Sequence, residues 1–218
     1  IGIAISYQKP DVIYAAIEED RTKGGVARLA SLIKKRKKLA KEFGSVLLFD
    51  SGDFTMGTLF HTISREFGTE LQLMKLMGYD AVGLGNHEFD FGPEGLSSMI
   101  LSAKSRMGSL SPLLCSNIIF SEANPLDKEL KDFMADGTLS RYKIIQKGTK
   151  KIGVFSLMGV DASDVSLNRY PIEFGDPIQE AKKYTNILRN QYNVDFIVLL
   201  SHGGVSKDKK GNWSGEDL

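Results

Sequence analysis

Amphipathic segments alternate with short apolar runs along most of this chain. Apolar residues recur at helical spacing over residues 24–44, 66–77 and 93–107, and again after Asp176. Between these segments lie apolar runs of strand length, which read SVLLFD, DAVGLG, SPLLCSNIIF and VDFIVLL. Residues 141–160 are typical of two strands joined in a hairpin around Gly148. This alternation predicts an α/β core in which most strands are parallel.

Glycine, proline and aspartate mark several of the predicted helix ends. Gly44 and Gly78 follow the first two helical segments, and Pro93 lies in the first turn of the third. Asp176 and the proline after it are a typical helix start, in which the aspartate side chain caps the first turn. Residues 124–138 are polar and have only weak helical character.

Length and composition allow one large folded domain, or one and a half ordinary ones. The chain has 218 residues, of which 42% are hydrophobic, and this is enough for a substantial core. Its formal net charge is only +1, so no global field attracts nucleic acid or an acidic membrane surface. The basic run KKRKK lies within the first amphipathic segment, where we interpret it as a solvated helix face rather than a nucleic-acid patch. No apolar run approaches the roughly 20 residues that cross a bilayer.

Side chains that can bind metals follow the three most apolar runs. Asp53 comes after the first run, and His202 comes after the last. Asn86 and His87 come after the middle run. The carboxyl ends of strands in an open α/β sheet border the ligand crevice, so we expect these residues to converge. Carboxylate, amide and imidazole donors together suit zinc, manganese or iron, and the sequence therefore predicts a metal site at this edge.

Other common catalytic motifs do not occur in the sequence. It contains no G-x-S-x-G elbow, Walker loop, G-x-G-x-x-G or H-E-x-x-H. In the segment GLGNHE, Glu88 stands where a dinucleotide fingerprint would have its third glycine. The remaining histidine, His61, belongs to no motif, and we expect it in a loop on the rim of the pocket.

Three segments, in their order and spacing, resemble a known family. FDSGD, GLGNHEFDFG and LLSHGG, with GGVARLASLI upstream, are similar to the calcineurin-like metallophosphoesterases. Within that family the chain most resembles the 5′-nucleotidase and UDP-sugar hydrolase branch, in which GNHEFD and GYDAVGLG are characteristic. The resemblance covers most of residues 22–206. It implies an α/β fold: a two-sheet βαβ sandwich flanked by helices, in four α/β/β/α layers.

The resemblance also implies a role for each of five residues. It makes Asp53 a carboxylate that bridges two divalent metal ions, and it makes Asn86 and His202 ligands of the second ion. His87 would not be a ligand. It would stabilise the phosphoryl oxygens or protonate the leaving group, and Asp90 would orient it. Two ions about 3.5–4 Å apart would activate a water molecule for in-line attack on phosphorus.

Two motifs of the family do not occur in this sequence. The family opens with D-x-H on its first strand and later carries G-H-x-H, and these motifs complete both metal sites. Either the first motif lies before Ile1, which we favour, or residues 1–6 form that strand, with Ser6 and Gln8 at the ligand positions. We therefore expect residues 1–218 to be one partial metallophosphoesterase domain, without the C-terminal nucleotide-binding domain of this branch.

Two functional hypotheses follow from the residues and the resemblance. The first is metal-dependent phosphoester hydrolysis of the 5′-nucleotidase type, with nucleoside monophosphates or nucleotide sugars as substrates. The second is a non-catalytic binding or partner-contact module on the same scaffold, with an incomplete metal site. A nucleic-acid phosphodiesterase would need a basic groove that the composition does not indicate. The resemblance alone suggests a periplasmic or extracellular location, and the oligomeric state stays open.

Overall fold

Short strands and helices alternate through the described part of the chain. The computed structural model describes residues 24–56, 61–207 and 213–215. The helices are α1 (Val26–Ala40), α2 (His61–Phe67), α3 (Thr69–Met77), α4 (Gly92–Met107), α5 (Lys128–Asp136), α6 (Val160–Val165) and α7 (Pro177–Asn190). The strands are β1 (Phe49–Asp50), β2 (Ala81–Gly83), β3 (Leu113–Leu114), β4 (Ile118–Ile119), β5 (Leu139–Ser140), β6 (Tyr142–Lys147), β7 (Lys150–Met158), β8 (Glu173–Phe174), β9 (Phe196–His202), β10 (Val205–Lys207) and β11 (Trp213–Gly215). Short 3₁₀ turns occur at His87–Phe89 and Pro125–Asp127.

The first sheet consists of four short parallel strands in the order β1-β2-β3-β5. Phe49 pairs with Ala81, and Val82 pairs with Leu113. Each connection between these strands contains at least one helix, because parallel neighbours need a long crossover. The prediction of parallel strands is therefore confirmed for this sheet.

The second sheet contains β6, β7 and β9, in that order. β6 and β7 form the predicted antiparallel hairpin, in which Gly148 has a φ of 59°. β7 and β9 are parallel, with Met158 opposite His202. The sheet is consequently mixed, and it places His202 at the carboxyl end of β9. Two smaller antiparallel pairs are formed by β4 with β8 and by β10 with β11.

Apolar side chains pack the two sheets against each other. The buried residues of this inner layer are Ala81, Leu114, Ile152, Val154 and Leu200. Their neighbours Val82 and Leu113 face the opposite way, because successive side chains of a strand alternate, and they pack with the helices on the outer face. Beyond the second sheet, Phe155 packs against Tyr184 and Leu188 of α7. The layers are thus helix, sheet, sheet and helix, which confirms the predicted α/β/β/α sandwich.

The helix predicted over residues 66–77 begins earlier and contains one break. α2 starts at His61, and Gly68, with a φ of 59°, separates it from α3. A β-carbon on Gly68 would lie 2.7 Å from Cβ of Ala103 and 2.8 Å from its backbone nitrogen. Only glycine therefore lets this turn approach α4 so closely. The expectation of a loop at His61 is wrong, because His61 is the first residue of α2.

The strand predicted over residues 111–120 is two strands that belong to different sheets. Between β3 and β4 the chain turns at Asn117, whose side chain is bonded to β7. Oδ1 of Asn117 accepts from the backbone nitrogen of Met158 at 3.0 Å, and its Nδ2 donates to the Met158 carbonyl at 2.8 Å. A buried polar side chain must satisfy its hydrogen bonds. The bonds of Asn117 to β7 therefore interrupt the strand, and the apolar run forms two strands instead of one.

Residues 124–138 are more regular than their polar composition indicates. They contain a 3₁₀ turn and the helix α5. Leu130 and Phe133 on α5 are buried in the core beneath the first sheet. Tertiary packing of this narrow apolar face stabilises a helix that would be marginal alone.

The start of α7 matches the predicted cap. Oδ1 of Asp176 accepts a hydrogen bond from the backbone nitrogen of Gln179 at 2.7 Å, and Pro177 is the first helical residue. None of the helices among the described residues is long and apolar enough to span a membrane. Residues 1–6, with Ser6, and Gln8 lie outside the described residues, so the two alternatives for the first motif stay open.

Leu114→Ala is expected to lower the free energy of unfolding by about 2–5 kcal/mol, because it leaves a cavity between the sheets at a fully buried position. Leu76→Ala is the matched control, since Leu76 is 72% exposed and should change stability by less than about 0.5 kcal/mol. Urea denaturation monitored by circular dichroism measures both values. Equal losses in the two variants would contradict the burial of Leu114 between the two sheets.

Candidate functional site

The ends of three strands bring Asp53, Asn86 and His202 into contact. Asp53 follows β1, Asn86 follows β2, and His202 is the last residue of β9. Nε2 of His202 lies 3.0 Å from Oδ1 of Asn86 and 3.2 Å from Oδ1 of Asp53. The convergence that the sequence predicts for these three side chains is therefore observed.

The ring of His202 directs one particular nitrogen at the two oxygens. Its Nδ1 lies 3.0 Å from the carbonyl oxygen of Ser51, which can only accept, so Nδ1 carries a proton. In the neutral imidazole, Nε2 then has a lone pair that faces two further acceptor oxygens. A lone pair on Nε2 in contact with two acceptor oxygens favours a cation between them, which is either a proton or a metal ion.

The spacing of these three atoms fits a divalent metal ion. With metal–ligand bonds of about 2.0–2.1 Å, neighbouring ligand atoms lie about 3.0 Å apart in an octahedral site and about 3.4 Å apart in a tetrahedral one. The observed separations of 3.0 and 3.2 Å lie within that range. Within the described part of the chain, no group of three or more His, Cys, Asp or Glu side chains could hold a metal. The donors present are thus one carboxylate, one imidazole and one amide, a partial set.

Asp53 and His202 stabilise each other's charged forms. Burial acts to raise the pKa of the Asp53 carboxyl, but hydrogen bonds from His202 and from the backbone of His87 outweigh burial and lower it. Burial likewise acts to lower the pKa of the His202 imidazole, and the Asp53 carboxylate outweighs it, so this pKa is raised. A proton on Nε2 of His202 would occupy the position of a metal ion, and the two therefore compete.

Glu88, the residue after His87, organises the loop that carries Asp53. Its Oε2 accepts hydrogen bonds from the backbone nitrogens of Asp53 at 2.8 Å and Gly85 at 2.6 Å. Its Oε1 accepts from the backbone nitrogens of Phe54 and Thr55, at 2.9 and 3.2 Å, and from the Thr55 hydroxyl at 3.0 Å. The side chain is only 3% exposed, and burial raises the pKa of its carboxyl although the N–H groups act against the rise. Glu88 thereby joins the loops after β1 and β2.

The Asp53 loop is also held in an unusual conformation. Asp53 has a φ of 60°, which is uncommon for a residue other than glycine. Gly85 passes close to it: a β-carbon on Gly85 would lie 2.6 Å from the backbone nitrogen of Asp53 and 2.6 Å from Cε1 of His202. Glycine at position 85 therefore allows the two loops and the histidine to meet.

His87 and Asp90 form a pair beside these donors. Nδ1 of His87 lies 2.9 Å from Oδ2 of Asp90, within the 3₁₀ turn that follows Asn86. The backbone nitrogen of His87 donates to Oδ1 of Asp53 at 3.0 Å, and this bond links the pair to the donor set. Nδ2 of Asn168 donates to the Asp90 carbonyl at 2.8 Å and holds the end of the turn. Both side chains of the pair are partly exposed, so a ligand can reach them.

Sequence reasoning missed the role of Glu88, and it expected His61 on the rim of the pocket without indicating its approach to Asp90. Glu88 was notable only as a residue in the position of a glycine, and a sequence signal for it would be an acid placed just after a turn rich in free N–H groups. His61 has no such signal. Its Nε2 lies 3.6 Å from Oδ2 of Asp90, which follows from the path of α2 and not from any motif.

A cavity of about 300 Å³ lies elsewhere, between α1 and α3. Its lining is mainly apolar, with the carboxyl groups of Asp50 and Glu70 in the wall. Burial raises the pKa of both carboxyls. The predicted site residues do not line this cavity, so it does not coincide with the candidate functional site.

Comparisons with known proteins find relatives both in sequence and in structure. No family model matches the chain. The 5′-nucleotidase of Bos taurus is 32% identical over 194 residues, which cover 88% of this chain and 31% of that protein. A snake venom 5′-nucleotidase of Gloydius brevicauda is 33% identical over 189 residues, which cover 86% of this chain and 29% of that protein. The solved structure of the NAD nucleotidase of Haemophilus influenzae matches with a TM-score of 0.63 at 27% identity, over 82% of this chain and 32% of that one.

The chain belongs to the 5′-nucleotidase family. Its fold is also that of a solved calcineurin-like phosphoesterase of Bacillus subtilis, which matches with a TM-score of 0.60 at 21% identity. The resemblance inferred from FDSGD, GNHEFD and LLSHGG is thus confirmed. The chain spans about 30% of the length of the curated 5′-nucleotidases that it matches. The activity of the protein and the roles of the individual residues stay predictions.

Glu88→Gln is expected to loosen the Asp53 loop. The glutamine amide would direct N–H donors at backbone N–H groups that the carboxylate now satisfies, and a buried donor without a partner costs about 1–3 kcal/mol. We expect a loss of that size in the free energy of unfolding, measured by urea denaturation. Glu94→Gln is the control, because Glu94 is exposed on α4. A Glu88→Gln variant as stable as this control would show that the carboxylate does not hold the loop.

Proposed function

We propose that the intact protein hydrolyses phosphoesters in a metal-dependent reaction of the 5′-nucleotidase type. Nucleoside monophosphates or nucleotide sugars are the proposed substrates. The observation that carries the proposal is the contact between the donor set of Asp53, Asn86 and His202 and the His87–Asp90 pair. A cation site next to an imidazole–carboxylate pair is suited to a substrate whose anionic phosphate must be held while its ester oxygen receives a proton.

Asp53, Asn86 and His202 are the proposed metal ligands. Asp53 has two carboxylate oxygens, so it can bridge two ions, while Asn86 supplies a neutral oxygen that adds no repulsion toward an anionic substrate. Nδ1 of His202 is fixed on the Ser51 carbonyl, which keeps Nε2 directed at the two oxygens. Divalent ions, when bound there, supply Lewis-acid stabilisation of phosphate charge and lower the pKa of water. The remaining ligands of a two-ion site would come from segments other than the described residues.

His87 is the proposed catalytic residue of the pair. Oδ2 of Asp90 accepts a hydrogen bond from Nδ1 of His87, and this bond orients the ring and leaves Nε2 of His87 for the substrate. From there the imidazole stabilises a phosphoryl oxygen or passes a proton to the leaving group. The hydrogen bond from the backbone nitrogen of His87 to Asp53 holds the turn that carries the ring against the proposed ligands.

A second candidate function is a non-catalytic binding module. The described residues supply one partial set of ligands, and this favours a scaffold that binds phosphate-bearing or protein partners without turning them over. For either function, we propose a location in the periplasm or outside the cell, since one relative is a venom 5′-nucleotidase.

We further propose that this chain is one partial domain of a longer protein, and that a separate domain binds the nucleoside.

The intact protein is expected to release phosphate from nucleoside monophosphates when manganese or zinc is added. A phosphate-release assay before and after chelation measures the activity, and elemental analysis counts the metals, with about two per chain expected. Absence of both phosphate release and bound metal after reconstitution would support the binding module instead.

His87→Ala is expected to lower turnover by about 10²- to 10⁴-fold and to leave the metal content unchanged, because His87 acts on substrate and holds no ion. His202→Ala is the matched comparison, since it removes a proposed ligand and should lose bound metal. Steady-state kinetics combined with elemental analysis distinguishes the two. Metal loss in His87→Ala would mean that its assigned role is wrong.

A further inference from the structure

His61 is the one histidine that the proposed mechanism does not use, and it lies beside the proposed catalytic pair. Its Nε2 is 3.6 Å from Oδ2 of Asp90, the same oxygen that lies 2.9 Å from Nδ1 of His87. The side chain of His61 is only 17% exposed. Asp90 is therefore located between two imidazoles from different elements, one on α2 and one in the 3₁₀ turn.

The ring of His61 is held firmly but lacks a hydrogen bond. It stacks on Phe91 with ring centroids 4.9 Å apart and an interplanar angle of 24°. The guanidinium of Arg65, one turn along α2, lies 5.5 Å from the centre of the Phe91 ring. Both ring nitrogens of His61 are buried, and neither has a hydrogen-bond partner among the described residues. Phe91 directly follows Asp90, so the contacts of His61 and Arg65 with the Phe91 ring hold α2 next to the backbone of Asp90.

A buried imidazole without a partner is unfavourable, and Asp90 offers the partner that it lacks. A separation of 3.6 Å is too long for a hydrogen bond, but a movement of about half an ångström would close it to the usual range. A carboxylate oxygen has two lone pairs, so Oδ2 can accept from both imidazoles at once. The aspartate would then be fixed from two directions.

We propose that His61 is a positioning residue for the His87–Asp90 pair, a role that rests on the proposed hydrolase function. It donates from Nε2 to Oδ2 of Asp90 and so holds the carboxylate where it orients the ring of His87. Its effect reaches the substrate only through Asp90 and His87. Loss of His61 therefore slows the chemical step while leaving substrate binding and metal content intact.

Two substitutions separate positioning from packing. His61→Phe keeps an aromatic ring on Phe91 but removes both donors, whereas His61→Gln keeps one N–H donor near the position of Nε2. We expect His61→Phe to lower kcat about tenfold, within the usual range of coupling between contacting residues, with KM and metal content unchanged. His61→Gln should recover part of that loss. In an Asp90→Asn background, His61→Phe should lower kcat no further.

Glu66→Ala is the control, because Glu66 is exposed on the same helix. Full activity in His61→Phe, or an equal loss of kcat in the Asp90→Asn background, would overturn the proposal. Thermal unfolding of each variant identifies losses that come only from a disturbed α2, since these would lower the melting temperature and would not be recovered by His61→Gln.

A spectroscopic measurement tests the contact without relying on turnover. Ring ¹⁵N resonances of the intact protein, assigned with a His87→Gln reference, report the hydrogen bonding of each imidazole. We expect His61→Phe to shift the ring signals of His87 and to leave those of His202 in place. Unchanged ring signals of His87 would overturn the role of His61, whether or not the protein hydrolyses phosphoesters. If the signals shift but the protein releases no phosphate, the role of His61 stands and only the hydrolase function is refuted.

Discussion

The carboxylate of Glu88 is the contact on which the candidate site depends. It accepts five hydrogen bonds, from three consecutive residues of the loop after β1, from the Thr55 hydroxyl and from Gly85. Asp53 is held at a φ of 60°, a conformation that costs about 1–3 kcal/mol when nothing supports it. The bonds to Glu88 offset that cost. Glu88, the residue beside the proposed catalytic histidine, thus positions the proposed bridging ligand, although Glu88 itself is almost fully buried.

The layered architecture sets the remaining geometry. Asp53 and Asn86 come from the first sheet, and His202 comes from the second, so the packing between the sheets fixes the distance between them. Register contributes as well, because β9 is parallel to β7 and its last paired residue is His202. All three residues then lie at carboxyl ends of parallel strands, where loops can gather at one edge. The site is a product of the sandwich and not of any single loop.

The sequence predicted those features that depend on local pattern. Apolar runs that end in Asp53, Asn86 and His202 indicated both the strands and their point of convergence. The cap at Asp176 was predictable because it needs only neighbouring residues. The family resemblance supplied the second sheet and the four layers, which periodicity alone did not indicate.

Features that depend on packing between distant segments were not predictable. Gly68 breaks a helix because α4 passes too close for a side chain, and nothing near Gly68 in the sequence reports that approach. The run 111–120 divides because Asn117 bonds to β7, some forty positions away. His61 reaches Asp90 only because α2 begins earlier than its amphipathic pattern indicates. In each case a tertiary contact overrides a local preference.

The three donor-bearing segments are far apart along the chain. Ser51 and His202 are separated by 151 positions, and Asn86 and His202 by 116. No local segment can assemble the donor set, so it exists only in chains whose two sheets have already folded and packed together. A cation with negligible affinity for the unfolded chain, at a concentration one hundred times its Kd, would stabilise the folded state by about 2.7 kcal/mol. Whole domains are stable by only about 5–15 kcal/mol, so a bound ion would add a substantial fraction to the free energy of unfolding. The stability of the packing between the two sheets would then depend on the concentration of the metal ion.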